Sequence, residues 1–250
     1  MTFAGAGQPS SGRTFPGPTF PGRLADGKRP QDAQPGVDVD IPAGEVWLGG
    51  RFTAPEGAAA VVVFAHGSGS SRHSPRNRYV SNVLIDAGFA TLLFDLLTPV
   101  EDAQRANVFD IGLLGRRLVE VTGWLRREQG ADGIPLGYFG ASTGAAAALW
   151  AAAELRADVG AVVSRGGRPD LATPQLPRVT APTLLIVGGK DEAVLELNER
   201  AARQMTTENE VAVIPGATHV FEEPGALEAA AGLARSWFTR HLIPATARRH

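Results

Sequence analysis

The sequence predicts one large α/β domain built on a doubly wound, mostly parallel sheet flanked by helices. Three observations carry that expectation. Short apolar runs of strand length recur from Val37 onward, segments of helical period separate them, and turns rich in glycine and small polar residues follow several of the runs. The 250 residues, 44% hydrophobic and 20% charged, suffice for one such domain with a substantial core.

Residues 1–36 differ in kind from the rest. They are dense in Gly and Pro, contain the short tandem "TFPGPTFPG" and show neither helical nor strand period. Such a segment buries too little apolar surface to offset chain entropy, so it reads as a flexible or loosely draped arm, with Phe15 and Phe20 as candidate docking contacts. The folded domain is expected over 37–250. "VDVDI" and "EVWLGGRFTAP" read as an antiparallel entry, two strands joined through a turn at Pro42 to Gly44. Six further runs follow: "AVVVFAHG" (60–67), "FATLLFD" (89–95), "IPLGYFG" (134–140), "VGAVVSRGG" (159–167), "PTLLIVGG" (182–189) and "NEVAVIPG" (209–216). Each is short and continuously apolar, as a parallel strand buried on both faces requires. Between them lie helical patterns. In 110–129, Asp110 is a candidate N-cap and Leu114, Leu118, Val121 and Leu125 share one face; in 226–243, Leu227, Ala230, Ala234, Trp237, Phe238 and Leu242 form a second stripe. Strand and helix in steady alternation imply right-handed crossovers. Only residues 168–182 separate the sixth strand of the domain from the seventh, which leaves no room for a large cap domain.

Composition narrows the function classes. A net charge of -2 and a pI near 6.2, with arginines scattered among carboxylates, give no sign of a nucleic-acid or membrane partner. The chain has no cysteine, which excludes a disulfide framework, a thiolate metal site and a cysteine nucleophile. No run approaches the roughly 18 apolar residues of a membrane span, and no secretory signal opens the chain. The expectation is a soluble, cytoplasmic protein that needs no metal or organic cofactor and acts on a small molecule.

In open α/β sheets the chemistry gathers past the carboxyl ends of the strands. After the 134–140 strand comes Gly140-Ala141-Ser142-Thr143-Gly144, followed at once by the helix former "AAAALWAAAEL". This is the G-x-S-x-G pattern in the strand-turn-helix setting it needs, where a strained turn lifts the serine hydroxyl above the sheet. The bland alternative is a capping serine. A serine hydroxyl needs a base, and the imidazole that serves it needs a carboxylate. His219 follows the 209–216 strand and Asp191 follows the 182–189 strand, giving a chain order of nucleophile, acid and base. His66 and His73 belong to an earlier strand end, His241 to the last helix and His250 to the terminus. For the acid, Glu192 and Asp170 stand as alternatives to Asp191. The developing oxyanion needs backbone N–H donors. Thr143, after the nucleophile, and Ser68, in the "HGSGSS" loop after the 60–67 strand, are the candidates; an ordinary glycine-rich turn is the alternative for that loop.

The segments "VVVFAHGSGSSRHSPRNRYV", "LLFDLLTP", "GYFGASTGAAAAL", "VVSRGGRPDLA", "LLIVGGKDEAV" and "IPGATHVFEEPGALE" together resemble a dienelactone hydrolase-like α/β-hydrolase over residues 37–242. The resemblance implies the α/β-hydrolase fold, with Ser142 as nucleophile, Asp191 as acid and His219 as base. It also carries a departure: named dienelactone hydrolases have cysteine where this chain has Ser142, so dienelactone is not assumed as substrate. Similar sequences are sometimes joined to a phosphoribosyltransferase domain, for which residues 1–36 are too short.

The expected activity is hydrolysis of small or accessible carboxylic esters through an acyl-enzyme on Ser142, with a rate that falls on the acid side as His219 takes a proton. Leu96, Leu97 and Phe109 are candidate apolar walls of the pocket. Arg72, Arg76 and Arg165 are candidate contacts for a substrate carboxylate, or else pair with Asp95, Asp170 or carbonyl groups. The competing readings are an acyltransferase, perhydrolase or thioesterase using the same three residues, and a noncatalytic binding domain that keeps the fold. Oligomeric state is open.

Overall fold

The computed structural model describes residues 36–128 and 130–243. The arm expected over 1–36 therefore lies, apart from Gly36, outside the described residues. All eight apolar runs form strands: β1 (Val37–Ala43), β2 (Val46–Thr53), β3 (Ala60–Ala65), β4 (Phe89–Phe94), β5 (Leu136–Ala141), β6 (Ala161–Arg165), β7 (Thr183–Gly188) and β8 (Asn209–Ile214). The first hairpin differs slightly from expectation. β1 continues through Pro42 to Ala43 and the turn is Gly44–Glu45, because Pro42 sits on an edge strand whose ladder does not need its missing N–H.

The helices are α1 (Pro75–Asp86), α2 (Pro99–Asp102), α3 (Arg105–Val108), α4 (Ile111–Glu128), α5 (Thr143–Leu155), α6 (Glu192–Gln204) and α7 (Ala226–Leu242). Their starts follow local chemistry. The Ser74 hydroxyl accepts from Asn77 N–H with Pro75 in the first turn, and Asp110 Oδ1 accepts from Leu113 N–H at 2.9 Å at the head of α4. Among the described residues no helix is long and apolar enough to cross a membrane.

The sheet runs β1-β2-β4-β3-β5-β6-β7-β8, with β1/β2 and β2/β4 antiparallel and the rest parallel. The chain moves outward from β3 to β4 and then returns to the other side of β3 to lay down β5. That reversal opens a crevice at the carboxyl ends of β3 and β5. β3 through β7 are buried along their whole length, and alternate residues feed two cores. Val61, Val63 and Ala65 join α4, α5 and α6 on one face; Val62 and Phe64 join α1 and α7 on the other. Burial of one large side chain such as Phe64 or Phe238 contributes about 1.5–3 kcal/mol. The expected stripe on α7 is the one that packs, with Ala230, Ala234, Trp237, Phe238 and Leu242 all buried. Between β6 and β7 a 3-10 stretch, Pro169–Arg178, packs on α5 and α6, and no cap domain is inserted there.

The alanine-rich α5 lets backbone meet backbone. A Cβ on Gly144 would fall inside contact distance of the Ala65 and His66 carbonyl oxygens, so the start of α5 is pressed against the end of β3. We expect Gly144→Ala to destabilise the fold by about 3 kcal/mol through overpacking against backbone that cannot yield. Gly232→Ala, in α7 with nothing within 4 Å of the new atom, should instead stabilise it by about 0.5–1 kcal/mol. Urea unfolding midpoints of the two variants check the pair; equal shifts would mean that α5 is free to slide.

Candidate active site

Ser142 follows directly on β5 in a conformation that L-residues avoid, with φ +51° and ψ -120°. Strain of this kind costs about 1–3 kcal/mol and persists only where neighbours fix it. Here the Ser142 N–H donates to Arg165 O, while Ser142 O accepts from Ala145 and Arg168 N–H at 3.1 Å. The side chain makes no helix-capping hydrogen bond, so the hydroxyl is left free by α5. Thr143 begins the helix, and its backbone N–H has no acceptor among the described residues.

Two loops from the far half of the sheet converge on this corner. Lys190 N–H donates to Ala217 O at 2.9 Å, and a Cβ on Gly188 would lie 2.5 Å from Ala217 O, so the β7 and β8 exits cross in contact. Thr218 N–H donates to both carboxylate oxygens of Glu223 at 3.1 Å, which fixes the loop that carries the histidine. Across the crossing, His219 Nδ1 lies 2.6 Å from Asp191 Oδ2. With Nδ1–H donating to the carboxylate, Nε2 is the nitrogen left to act as a base. The Asp191 side chain is 16% exposed and that of His219 is 42% exposed, so the carboxylate is sheltered while the imidazole meets solvent. Neither alternative acid is there. Asp170 is held in a two-pronged pair with Arg168 at 2.8 Å, and Glu192 opens α6 without contact to His219.

Ser142 and His219 line one cavity of about 250 Å³, together with Gly67, Ser68, Ser70, Ser74, Arg76, Asn77, Arg165 and Val220. Two larger hollows, about 550 and 510 Å³, lie along α4 and the amino ends of β5 and β6 and touch none of the three candidate residues.

The walls differ from expectation. Leu96 and Leu97 are buried around a much smaller hollow beside Ser68 and Thr143, and Phe109 stands 47% exposed against Arg105. These apolar groups face α4 and solvent because the cavity opens over β5 and β6, not over the exit of β4. Arg72 is likewise engaged elsewhere: its backbone N–H and its guanidinium both bind the Asp95 carboxylate. Ser68 is at the cavity, but its N–H donates to Thr143 Oγ1 at 2.9 Å instead of facing open space. Arg76 and Arg165 do line the cavity. Asn77, missed in the sequence reading, is 2% exposed with its Oδ1 unpartnered. The "SPRN" string that starts α1 was the available signal, since a helix beginning just past β3 turns its first residues toward the crevice.

Arg165 is the unusual group of the cavity. It is 7% exposed, its Nε and Nη1 have no acceptor among the described residues, and the rings of Phe139 and Phe221 lie 6.0 and 5.7 Å from its guanidinium. Burial, reinforced by the positive charge of Arg76, pushes its pKa down to about 10.

His66 holds the opposite wall in place. Leu96 N–H donates to Nε2 at 3.0 Å, so the ring proton is on Nδ1, which donates to Gly67 O at 2.9 Å. Burial holds this imidazole below its ordinary value, mainly by penalising the cation. The unfolded chain therefore binds the proton first, and the stability that His66 contributes is present above about pH 6.5 and lost as pH falls below it. The urea midpoint of the wild type should fall between pH 7 and 5 more steeply than that of His66→Gln, which starts lower; parallel curves would show that His66 is not buried neutral.

The model of the Dienelactone hydrolase family matches residues 48–241. Two curated proteins, from two strains of Mycobacterium tuberculosis and provisionally named phosphoribosyl transferases, are 62% identical over 205 residues, or 82% of this chain. The chain spans only 46% of their length. Among solved structures, a dienelactone hydrolase from Anabaena variabilis is 55% identical with a TM-score of 0.80, over 83% of this chain and 98% of that one. A Pyrococcus furiosus esterase, 20% identical with a TM-score of 0.64 over 89% of this chain and 99% of that one, shares the fold.

Proposed function

We propose that this chain, which belongs to the dienelactone hydrolase family and is a hydrolase with the α/β-hydrolase fold, cleaves carboxylic esters through an acyl-enzyme on Ser142. One observation carries the reading: a serine at φ +51° past β5 shares a cavity with a histidine whose Nδ1 is bound by Asp191 at 2.6 Å. His219 Nε2 takes the Ser142 proton as Oγ attacks the ester carbonyl, and the Thr143 N–H donates a hydrogen bond to the carbonyl oxygen as negative charge develops on it. Asp191 stabilises the imidazolium. His219 then returns the proton to the departing alkoxide, and a water, deprotonated by the same nitrogen, releases the acid and restores the serine.

The cavity wall supports a narrower substrate class. A buried guanidinium without a counter-ion, beside a second arginine, is electrostatically unfavourable until an anion arrives. Arg165, with Arg76 at the mouth, favours a short ester that also carries an acidic group, and a cavity of about 250 Å³ suits a small acyl chain. The transferase name of the mycobacterial relatives concerns proteins of which this chain covers 46%, whereas the family match includes Ser142, Asp191 and His219.

Hydrolysis of nitrophenyl acetate, butyrate and octanoate by the wild type and by Ser142→Ala tests the mechanism. The variant should lose on the order of a millionfold in turnover, and activity that survives the substitution excludes Ser142 as nucleophile. Arg165→Met and Arg76→Met should raise KM for an aryl hemisuccinate by about tenfold or more while sparing the acetate; an equal effect on both esters would remove the acidic-substrate reading.

A further inference from the structure

The donor expected to face the oxyanion is already engaged. Ser68 N–H donates to Thr143 Oγ1 at 2.9 Å, about the distance at which it would have to hold a substrate oxygen. A carbonyl oxygen gains that N–H only by displacing the hydroxyl, and neither partner has slack. On the loop side, Gly67 O accepts from Ser70 N–H at 3.2 Å and from His66 Nδ1–H at 2.9 Å. A Cβ on Gly67 would lie 3.0 Å from both Ala141 O and Ser142 Cβ, so the loop already rests on the nucleophile turn. On the helix side, Gly144 is wedged against the end of β3.

Thr143 itself is incompletely satisfied. It is 3% exposed, its oxygen accepts from Ser68, and its hydroxyl proton has no acceptor among the described residues. Buried donors are rarely left unpaired. The residue also opens a helix of 13 residues directly after the nucleophile, where backbone N–H groups and the helix dipole favour negative charge. A hydroxyl whose oxygen accepts a hydrogen bond becomes a stronger donor.

We infer that the Thr143 hydroxyl, polarised by Ser68 N–H, is the second donor to the oxyanion, acting on the same oxygen as the Thr143 backbone N–H. Ser68 then works through Thr143 and is a positioning residue. No proton changes owner: the hydroxyl donates a hydrogen bond as negative charge grows on the carbonyl oxygen and keeps its hydrogen when the carbonyl reforms. The inference rests on the serine-hydrolase reading above.

The test compares Thr143→Val, which keeps shape and removes the hydroxyl, with Thr143→Ser, which keeps the hydroxyl, on one nitrophenyl ester. Thr143→Val should lower kcat by about a hundredfold with KM unchanged, and should weaken inhibition by an aryl trifluoromethyl ketone, which forms an oxyanion on serine, by a similar factor. Thr143→Ser should stay within about fivefold of wild type on both measures. Should valine disturb packing, Thr143→Ala makes the same comparison without added bulk. The inference is overturned if kcat of the hydroxyl-free variants is unchanged or higher, or if Thr143→Ser falls as far as Thr143→Val. Ser142→Ala, assayed alongside, separates the two failures: if it retains activity, the serine-hydrolase reading fails; if it is inactive while Thr143→Val is not, only the role of Thr143 fails.

Discussion

The site depends on one steric condition, the contact of the α5 start with the end of β3. Gly144 permits it, because any side chain there would enter the Ala65 and His66 carbonyls. The Ser142 corner hangs from that contact. It sets the height of the Ser142 turn, brings Ser68 N–H within 2.9 Å of Thr143 Oγ1, and fixes the floor over which the His219 loop must close. The left-handed Ser142 is tolerable only because its own carbonyl and N–H are held from two sides by Ala145, Arg168 and Arg165. Sequence enters as omission: small residues on either side of one serine let three backbone segments share a space that side chains would otherwise fill.

Electrostatics is layered on this frame. The Asp191 and His219 pair is made by crossing two loops, with the carboxylate sheltered and the imidazole open, so in the proposed mechanism a charge on His219 has its partner in place beforehand. Arg165 is the reverse case, a charge whose partner is missing. Rings of Phe139 and Phe221 flank it and the positive charge of Arg76 acts on it, so the fold carries an electrostatic deficit at the wall of the cavity. Leaving such a deficit uncorrected makes physical sense where a ligand supplies the opposite charge.

What the sequence made legible follows the range of the physics. All eight strands could be read, β3 to β7 because a strand buried on both faces announces itself in five or six consecutive, mostly apolar residues, and β1, β2 and β8 as short runs bounded by turns. The Ser142 turn was legible for the same reason, and Asp191 and His219 because the fold sends strand ends to one rim. The departures come from interactions between residues distant in sequence. For Arg72 the sequence left a cavity role and a pairing with Asp95 both open, and only the fold, which brings Asp95 from 23 residues on, decides for the pair. Leu96 and Leu97 follow a strand end in the chain, but β4 lies on the far side of β3 from β5, so they line a smaller hollow, while Phe109 stands exposed against Arg105. Ser68 N–H and Thr143 Oγ1 are 75 residues apart, and no local pattern records which rotamer joins them. Asn77 was hidden inside a helix-start signal that also carried a cavity wall.

The strand order has a temporal meaning as well. From β5 to β8 the sheet grows outward in chain order, one parallel strand at a time. During synthesis the Ser142 turn is therefore laid down beside β3 before the His219 loop, and the crossing of the β7 and β8 exits comes late, with only α7 still to follow. A nascent chain that has docked β5 and α5 already holds the strained Ser142 turn, with the His219 loop still to come. On the proposed reading, the meeting of Ser142 with His219 thus waits for the loop beyond the outermost strand, which burial of the central strands alone does not supply.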